Sequence, residues 1–389
     1  EKGIDFKHSL PNYAVKDLML YVGLLASAKY NYPSRKFKTI GVTGTNGKTS
    51  ITHWLNQAYT YLGQLAGIIG TTGSGVWGHL CDYAATTPNP ITLQKILTDF
   101  AEHGVNVAAL EVSSHALEQG RVNGINFITA IFTNLTQDHL DYHHTMENYY
   151  LAKRELFYWR DLRNAIINTD DAYGLRLFAE FKNTPHQILA NGILAVHNGL
   201  NVLSYGIDTG MINASKIKIS MSGMTFALNF AGASVACSVK VVGKFNVYNL
   251  LAVAAALVMD GFDLGQIVDV LSQLTPVCGR MDSIALPGKP LVVVDYSHSP
   301  DSLHNALSTL KEIEHSGKLY CVFGCGGNRD TSKRPIMGDI AAGIADYVVI
   351  TSDNPRFEDP ESIIEQIRAG MKTNNYITIT NRKEAIEYI

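Results

Sequence analysis

Phe37-Lys38-Thr39-Ile40-Gly41-Val42-Thr43-Gly44-Thr45-Asn46-Gly47-Lys48-Thr49-Ser50 passes from an apolar, β-branched run through a glycine-rich turn into a helical pattern that continues to about Leu62. Strand, phosphate-sized turn and helix in that order open an α/β domain. Glycines let backbone N–H groups close around phosphate oxygens. Lys48 supplies positive charge, Thr49 a hydroxyl that can hold Mg²⁺, and the helix start adds its own positive end. The spacing departs from GxxxxGK[ST], because Val42 stands at the first glycine position.

Further apolar runs lie C-terminal to this segment at Val105–Val112 and Phe127–Phe132, with helical stretches between many such runs. That alternation predicts a largely parallel sheet. The runs Ile217–Met221, Phe226–Phe230 and Val235–Val242 read as consecutive strands joined by turns, an antiparallel edge, before an alanine-rich helix from Asn246 to Met259. A second α/β block begins near Pro276, with strands at Leu291–Val294, Leu319–Phe323 and Tyr347–Thr351 between helices. The chain divides on this reading into an entry segment (1–36), a central domain (37–275) and a C-terminal domain (276–389).

At 389 residues the chain has room for about two to three domains. The formal net charge of −3 gives no global attraction to nucleic acid or an anionic membrane, so anionic ligands must be held by a few placed cations. Five scattered cysteines match no zinc pattern and read as free thiols in a reducing cytoplasm. No apolar run reaches membrane-spanning length. A cytoplasmic protein without membrane insertion is the expectation.

Candidate site residues stand where strands end, since ligands of open α/β sheets bind outside the carboxyl ends of the strands. Glu111 closes one strand and is followed by Ser113, Ser114 and His115; His139 follows another in Asn134–Asp141. A carboxylate and an imidazole can both ligate a divalent cation. Asp138, Asp141, His143 and His144 read as solvated loop polarity. Lys153 lies three to four residues from Tyr149, Tyr150, Leu156 and Phe157, on the inward stripe of its helix. Two readings stay open for it: a snorkelling side chain, or a desolvated amine neutral enough to take up CO₂ as a carbamate. Asn246 can be explained as a helix N-cap.

The Thr43–Thr49 segment, Tyr149-Tyr150-Leu151-Ala152-Lys153, Gly243-Lys244-Phe245-Asn246-Val247-Tyr248-Asn249 and Asp295-Tyr296-Ser297-His298-Ser299-Pro300 together resemble the Mur ligase superfamily. The resemblance implies a central P-loop-type ATPase domain with a mostly parallel sheet, followed by a Rossmann-like α/β domain. It implies an ATP site at Gly44, Thr45, Asn46, Gly47, Lys48, Thr49 and Ser50, with Asn246 and Asn249 near adenine. Arg280 would meet the γ-phosphate, with Asp295 and His298 nearby. Mg²⁺ would be held by Thr49, Glu111, His139 and Lys153 as its carbamate. Lys48, His139 and Lys153 would carry catalysis.

The resemblance is to the branch that joins meso-diaminopimelate to UDP-N-acetylmuramoyl-L-alanyl-D-glutamate (the UDP-MurNAc-dipeptide). It implies that Thr86, Thr87, Ser113, Gln119 and Arg121 contact the dipeptide. Diaminopimelate has one carboxylate more than lysine, and an arginine fork matches a carboxylate with two parallel hydrogen bonds. Arg329, and Arg356 in Asp353-Asn354-Pro355-Arg356, follow separate strands; the DNPR segment is the mark of the diaminopimelate-adding branch. The rival readings are a lysine-adding relative or another ligase of the superfamily, and a nucleotide-binding module without activity. By the same resemblance the chain is a portion of a longer protein, with residues 1–36 the remainder of a uridine-binding domain.

Overall fold

The computed structural model describes residues 14–389 except 77, 82–84, 197–198, 221, 287 and 314–316. The first part of the expected entry segment, residues 1–13, and Met221 of the expected strand lie outside the described residues. From residue 18 the entry segment is helical: α1 (Leu18–Lys29) is held by Asn123, whose side chain donates to Leu20 O at 2.8 Å, and by Ser27 Oγ, which donates to Gly124 O at 2.9 Å. Its apolar residues surround the helix without a stripe, so no periodicity marked it.

The larger sheet takes, in chain order, β1 (Lys38–Thr43), β2 (Ala66–Gly70), β3 (Gly73–Val76), β4 (His79–Cys81), β5 (Val107–Glu111), β6 (Thr129–Phe132), β7 (Asn164–Asn168), β8 (His186–Ile188), β9 (Leu194–Val196), β10 (Leu200–Gly206), β11 (Ile212–Ser220), β12 (Gly223–Phe230) and β13 (Ala233–Val239). Its order is β13-β12-β11-β10-β7-β6-β1-β5-β2-β3-β4, with β9 also on β10 and β8 on β9. From β11 through β2 every neighbouring pair is parallel; β11–β12–β13 form the antiparallel edge that three closely spaced runs predict. From β1 the chain moves outward to β2, whereas from β6 it moves the opposite way to β7. The chain thus leaves β1 and β6 toward opposite edges of the sheet, and in open α/β sheets ligands bind outside the carboxyl ends of the strands at such a point.

Alternation along the strands divides the core between two faces. Ile40, Val42, Ala109 and Ile131 face α2 (Lys48–Tyr61), where Ile51, Trp54 and Leu55 are buried. Ala108, Leu110, Ala130 and Phe132 face α3 (Pro90–Glu102), with Leu93, Leu97 and Phe100. Four helices follow: α4 (Ser114–Glu118), α5 (Leu140–His143), α6 (Met146–Arg154) and α7 (Ala172–Lys182). The alanine-rich helix is α8 (Lys244–Met259), buried through most of its length beside α2, and α9 (Leu264–Gln273) closes that face.

The C-terminal residues form a separate layer. Here β14 (Asp282–Ile284) and β15 (Val292–Val294) make an antiparallel ribbon. The parallel sheet consists of β16 (Tyr320–Phe323), β17 (Tyr347–Ile350) and β18 (Tyr376–Thr378), with α10 (Pro300–Glu312), α11 (Lys333–Ile344), α12 (Pro360–Arg368) and α13 (Arg382–Tyr388). The run Leu291–Val294 thus pairs outside the sheet it was grouped with. Leu291, Val292 and Val294 remain exposed in the ribbon and Val293 is half-buried, whereas Val348, Val349 and Ile350 of β17 are fully buried.

Candidate active site

The turn after β1 is shaped by what surrounds it. Gly44 has φ +144° and Gly47 φ +88°; a Cβ on the first would lie 1.8 Å from Thr133 Oγ1, and on the second 2.4 Å from Asn249 Oδ1. An L side chain fits neither place. The loop after β6 fastens the turn: Thr45 N donates to Asn134 O at 2.8 Å, Asn46 N to Asn134 Oδ1 at 2.9 Å, and Thr133 Oγ1 to Asn46 O at 2.6 Å. Gly47 caps α2 with no side-chain acceptor among the described residues, and the first N–H groups of a helix have no partner within it, as an anion site requires. Lys48 Nζ donates to Gly44 O and Thr45 O, each at 2.8 Å. Burial lowers its pKa, Glu111 and Asp138 oppose that, and Arg280 adds to it.

Glu111 is buried at the end of β5, where it accepts from Thr71 N at 2.8 Å and Thr49 Oγ1 at 3.1 Å. The five residues read as dipeptide contacts gather around this strand end. Thr86 Oγ1 is 3.0 Å from Thr71 Oγ1, and Thr87 Oγ1 donates to Glu111 O at 2.8 Å. Ser113 N donates to Thr87 Oγ1 at 3.1 Å, Arg121 Nη1 to Thr87 O at 3.1 Å, and Arg121 Nε to Gln119 Oε1 at 2.8 Å.

Lys153 is buried on α6, with Nζ donating to Gly44 O at 2.8 Å and lying 4.5 Å from the Tyr149 ring centre. Its tip points into the fold, so snorkelling is excluded. Burial pulls its pKa well below the lysine value and Lys48 adds to the shift, with Asp138 opposing. Glu180 of α7 holds the helix from outside, accepting from Tyr150 Oη at 2.7 Å, Arg154 Nε at 2.7 Å and Tyr158 Oη at 2.6 Å.

His139 Nε2 lies 3.4 Å from Asp138 Oδ2. Burial brings its pKa down to about 3, against Asp138 and with Lys153, so the ring is neutral near pH 7, as a metal ligand must be. Two residues expected in solvent are buried. Asp138 accepts from Lys333 Nζ and pairs with His298 Nε2, each at 3.4 Å; burial raises its pKa, but His298, His139 and Lys333 together hold it below the carboxylate range. His143 bonds Ser114 Oγ at 2.8 Å and stacks on Tyr149.

Among the described residues no group of three His, Cys, Asp or Glu side chains lies close enough to hold a metal alone. The paired oxygens of Thr49 and Glu111 suit a different arrangement, a Mg²⁺ that takes one or two protein oxygens and completes its shell with phosphate and water.

A cleft of about 400 Å³ runs from this turn to the C-terminal layer. Asn249 lines it, while Asn246 stands behind, accepting from Asn249 Nδ2 at 3.0 Å and donating to Val242 O at 2.7 Å. Gly243 is the cap of α8, so the capping role considered for Asn246 does not hold. From the C-terminal side Arg280 Nη2 donates to Thr49 Oγ1 at 2.9 Å, its guanidinium 4.4 Å from the Tyr296 ring centre. Asp295 accepts from Met281 N at 2.9 Å and, with His298 and Asp301, lines the opposite wall. Asp301, Asn134 and Lys333 escaped the sequence reading.

The two arginine-bearing loops meet because β16 and β17 are neighbours in a parallel sheet. Gly327 N donates to Asn354 O at 2.8 Å and Arg356 Nη1 to Gly327 O at 2.6 Å. Arg329, Asn354 and Arg356 are exposed, Pro355 half-buried, and Asp353 lies 3.7 Å from Arg382 Nη1.

The profile of the Mur ligase middle domain matches residues 42–257, and that of the Mur ligase, glutamate ligase domain residues 279–389. The UDP-N-acetylmuramoyl-L-alanyl-D-glutamate–2,6-diaminopimelate ligase of Chromobacterium violaceum is 44% identical over 379 residues, 97% of this chain and 74% of that protein. The ligase of the same name from Neisseria meningitidis serogroup B is 46% identical over 381 residues, 97% and 75%. A solved structure of a ligase of that name aligns with a TM-score of 0.68 at 36% identity, over 97% of this chain and 75% of its own. Folylpolyglutamate synthase of Mycobacterium tuberculosis with ADP shares the fold at a TM-score of 0.77 and 19% identity, over 97% and 87%.

Proposed function

The chain belongs to the Mur ligase family, and from that premise we propose that it joins meso-2,6-diaminopimelate to UDP-N-acetylmuramoyl-L-alanyl-D-glutamate with ATP, in peptidoglycan synthesis. The observation that carries the amino-acid choice is Arg356, brought beside the Arg329 loop on neighbouring strand ends. Kinship over 97% of the chain with ligases of that name supports the same reading.

Chemically, the γ-phosphoryl group of ATP passes to the glutamate side of the dipeptide and ADP leaves. The amine of diaminopimelate then attacks the acyl carbon, the amide forms, and phosphate departs. In our reading the Gly44–Ser50 turn and the start of α2 cradle the phosphates, and Lys48 and Arg280 balance their charge. Asn249, oriented by Asn246, faces adenine. Thr86, Thr87, Ser113, Gln119 and Arg121 hold the dipeptide beside Glu111. Asp295 and His298 bring the C-terminal wall to the nucleotide. Thr49, Glu111, neutral His139 and Lys153 as a carbamate would hold Mg²⁺, which when bound offsets charge on the transferring phosphoryl group. Asp353, Asn354, Pro355 and Arg356, with Arg329, select the incoming amino acid.

We place the domain boundary at 275/276. No helix among the described residues is long and apolar enough to cross a membrane, and the five cysteines are free thiols; both suit the cytoplasmic location we propose.

The test is competition between amino acids, read as phosphate release and product mass. The chain is expected to prefer diaminopimelate to lysine. Arg356→Gln should lower that preference by about 10- to 100-fold, the loss of a charge-assisted pair. An unchanged ratio overturns the amino-acid assignment, and absence of phosphate release with any amine favours the inactive module.

A further inference from the structure

Arg334 is fully buried in the first turn of α11, a place where the helix dipole disfavours a cation, and its Nε has no hydrogen-bond partner among the described residues. Its other nitrogens all reach the two amino-acid loops or the helix behind them. Nη1 donates to Glu358 Oε2 at 2.8 Å and Gln366 Oε1 at 2.8 Å; Nη2 donates to Glu358 Oε1 at 2.9 Å and Gly326 O at 3.1 Å. Glu358 also accepts from Asn328 N. One guanidinium–carboxylate pair therefore ties residues 326–328, preceding Arg329, to residue 358, just beyond Arg356.

Both loops hold a residue at positive φ: Asn328 at +49°, which asparagine tolerates better than most residues, and Arg356 at +50°, which a long side chain adopts rarely and its surroundings must enforce. The enforcement is visible. Phe357 N donates to Asn328 Oδ1 at 3.0 Å, and a Cβ on Gly327 would lie 1.9 Å from Pro355 O. A planar fork bound to a carboxylate on two parallel bonds fixes orientation as well as distance, which lysine in its place could not do.

We propose that Arg334, through Glu358, is a positioning residue that sets the spacing of Arg329 and Arg356 and so governs selection between diamino acids it does not touch. The inference rests on the amino-acid assignment above. A displacement of about 1 Å at a binding group is enough to cost up to about 100-fold.

The test uses the full chain with Glu358→Gln, which keeps an acceptor beside Arg334, and Arg334→Lys, which keeps the charge and loses the fork. Amide hydrogen exchange of residues 326–330 and 354–358 should quicken at least about tenfold in both variants, with β16 and β17 unchanged. The KM for diaminopimelate should rise about tenfold while the KM for ATP stays within about twofold. Unchanged exchange in both variants overturns the proposal, as does an equal rise in both KM values. If wild-type protein shows no preference for diaminopimelate over lysine, the parent assignment fails, and the exchange data still decide whether the tie orders the loops.

Discussion

Asn46 Nδ2 donates to Asp301 Oδ2 across 2.8 Å, so that one hydrogen bond joins the glycine turn after β1 to the first turn of α10 over 255 residues of sequence. Asp301 sits in the wall of the cleft, where burial raises its pKa and Asn46 and Asn305 pull it back. Losing a bond worth about 1 kcal/mol should weaken the turn's hold on nucleotide. Asp301→Ala is expected to weaken binding of a non-hydrolysable ATP analogue several-fold by calorimetry. Unaltered affinity would mean that the bond plays no part in holding nucleotide.

Lys153 yields a prediction about CO₂. Burial and the neighbouring Lys48 leave its amine neutral to a greater extent than an exposed lysine, the form that takes up CO₂. Lys153→Ala should slow phosphate release by at least about 100-fold, in line with removal of a charged group from a reacting centre. Short-chain carboxylic acids should restore part of that rate by replacing the missing anion. Failure of both bicarbonate on CO₂-stripped wild type and acids on the variant to raise activity would rule out the carbamate.

At Gly47 the expectation is steric. A methyl group there would meet Asn249 Oδ1 at 2.4 Å from a backbone with φ +88°. Gly47→Ala should lower the melting temperature by several degrees, as a loss of about 1–2 kcal/mol does. It should also abolish ATP-analogue binding, because relief of the clash displaces Asn249 or the turn. Normal affinity in this variant would show that the turn adapts.

His53 predicts a pH dependence of stability. It is 6% exposed, and burial, helped by Arg280, brings its pKa from 6.5 to about 4. Above pH 6.5 it is neutral whether folded or unfolded. Below that the unfolded chain takes a proton that the folded one refuses, so stability falls between pH 6.5 and about 4, by up to roughly 3 kcal/mol for this group. His53→Gln should flatten part of that fall in urea titrations. A slope identical to wild type would show that His53 is not its source.

The central sheet was legible because each signal was local. The turn between β1 and α2, the three closely spaced runs of the antiparallel edge and the alanines of α8 are each read from one continuous stretch of sequence. Lys153 was legible as a misplaced charge on an apolar stripe, although periodicity could not say whether its tip turned inward. Asp138 was misread for the opposite reason. Its cations, His298 and Lys333, arrive from far along the chain, and nothing in its own segment distinguishes a buried aspartate from a solvated one. The same holds for Leu291–Val294, whose apolar residues fit a sheet interior and an exposed ribbon equally well. For α1, the lack of an apolar stripe removed the only cue.

Glu180 stands at the rim, yet three side chains of the segment that bears Lys153 converge on it. The azimuth of that amine is therefore decided from outside, like a key held by its bow. If Lys153 serves as proposed, damage at this outlying carboxylate would slow the reaction although no residue proposed to touch substrate or metal had changed.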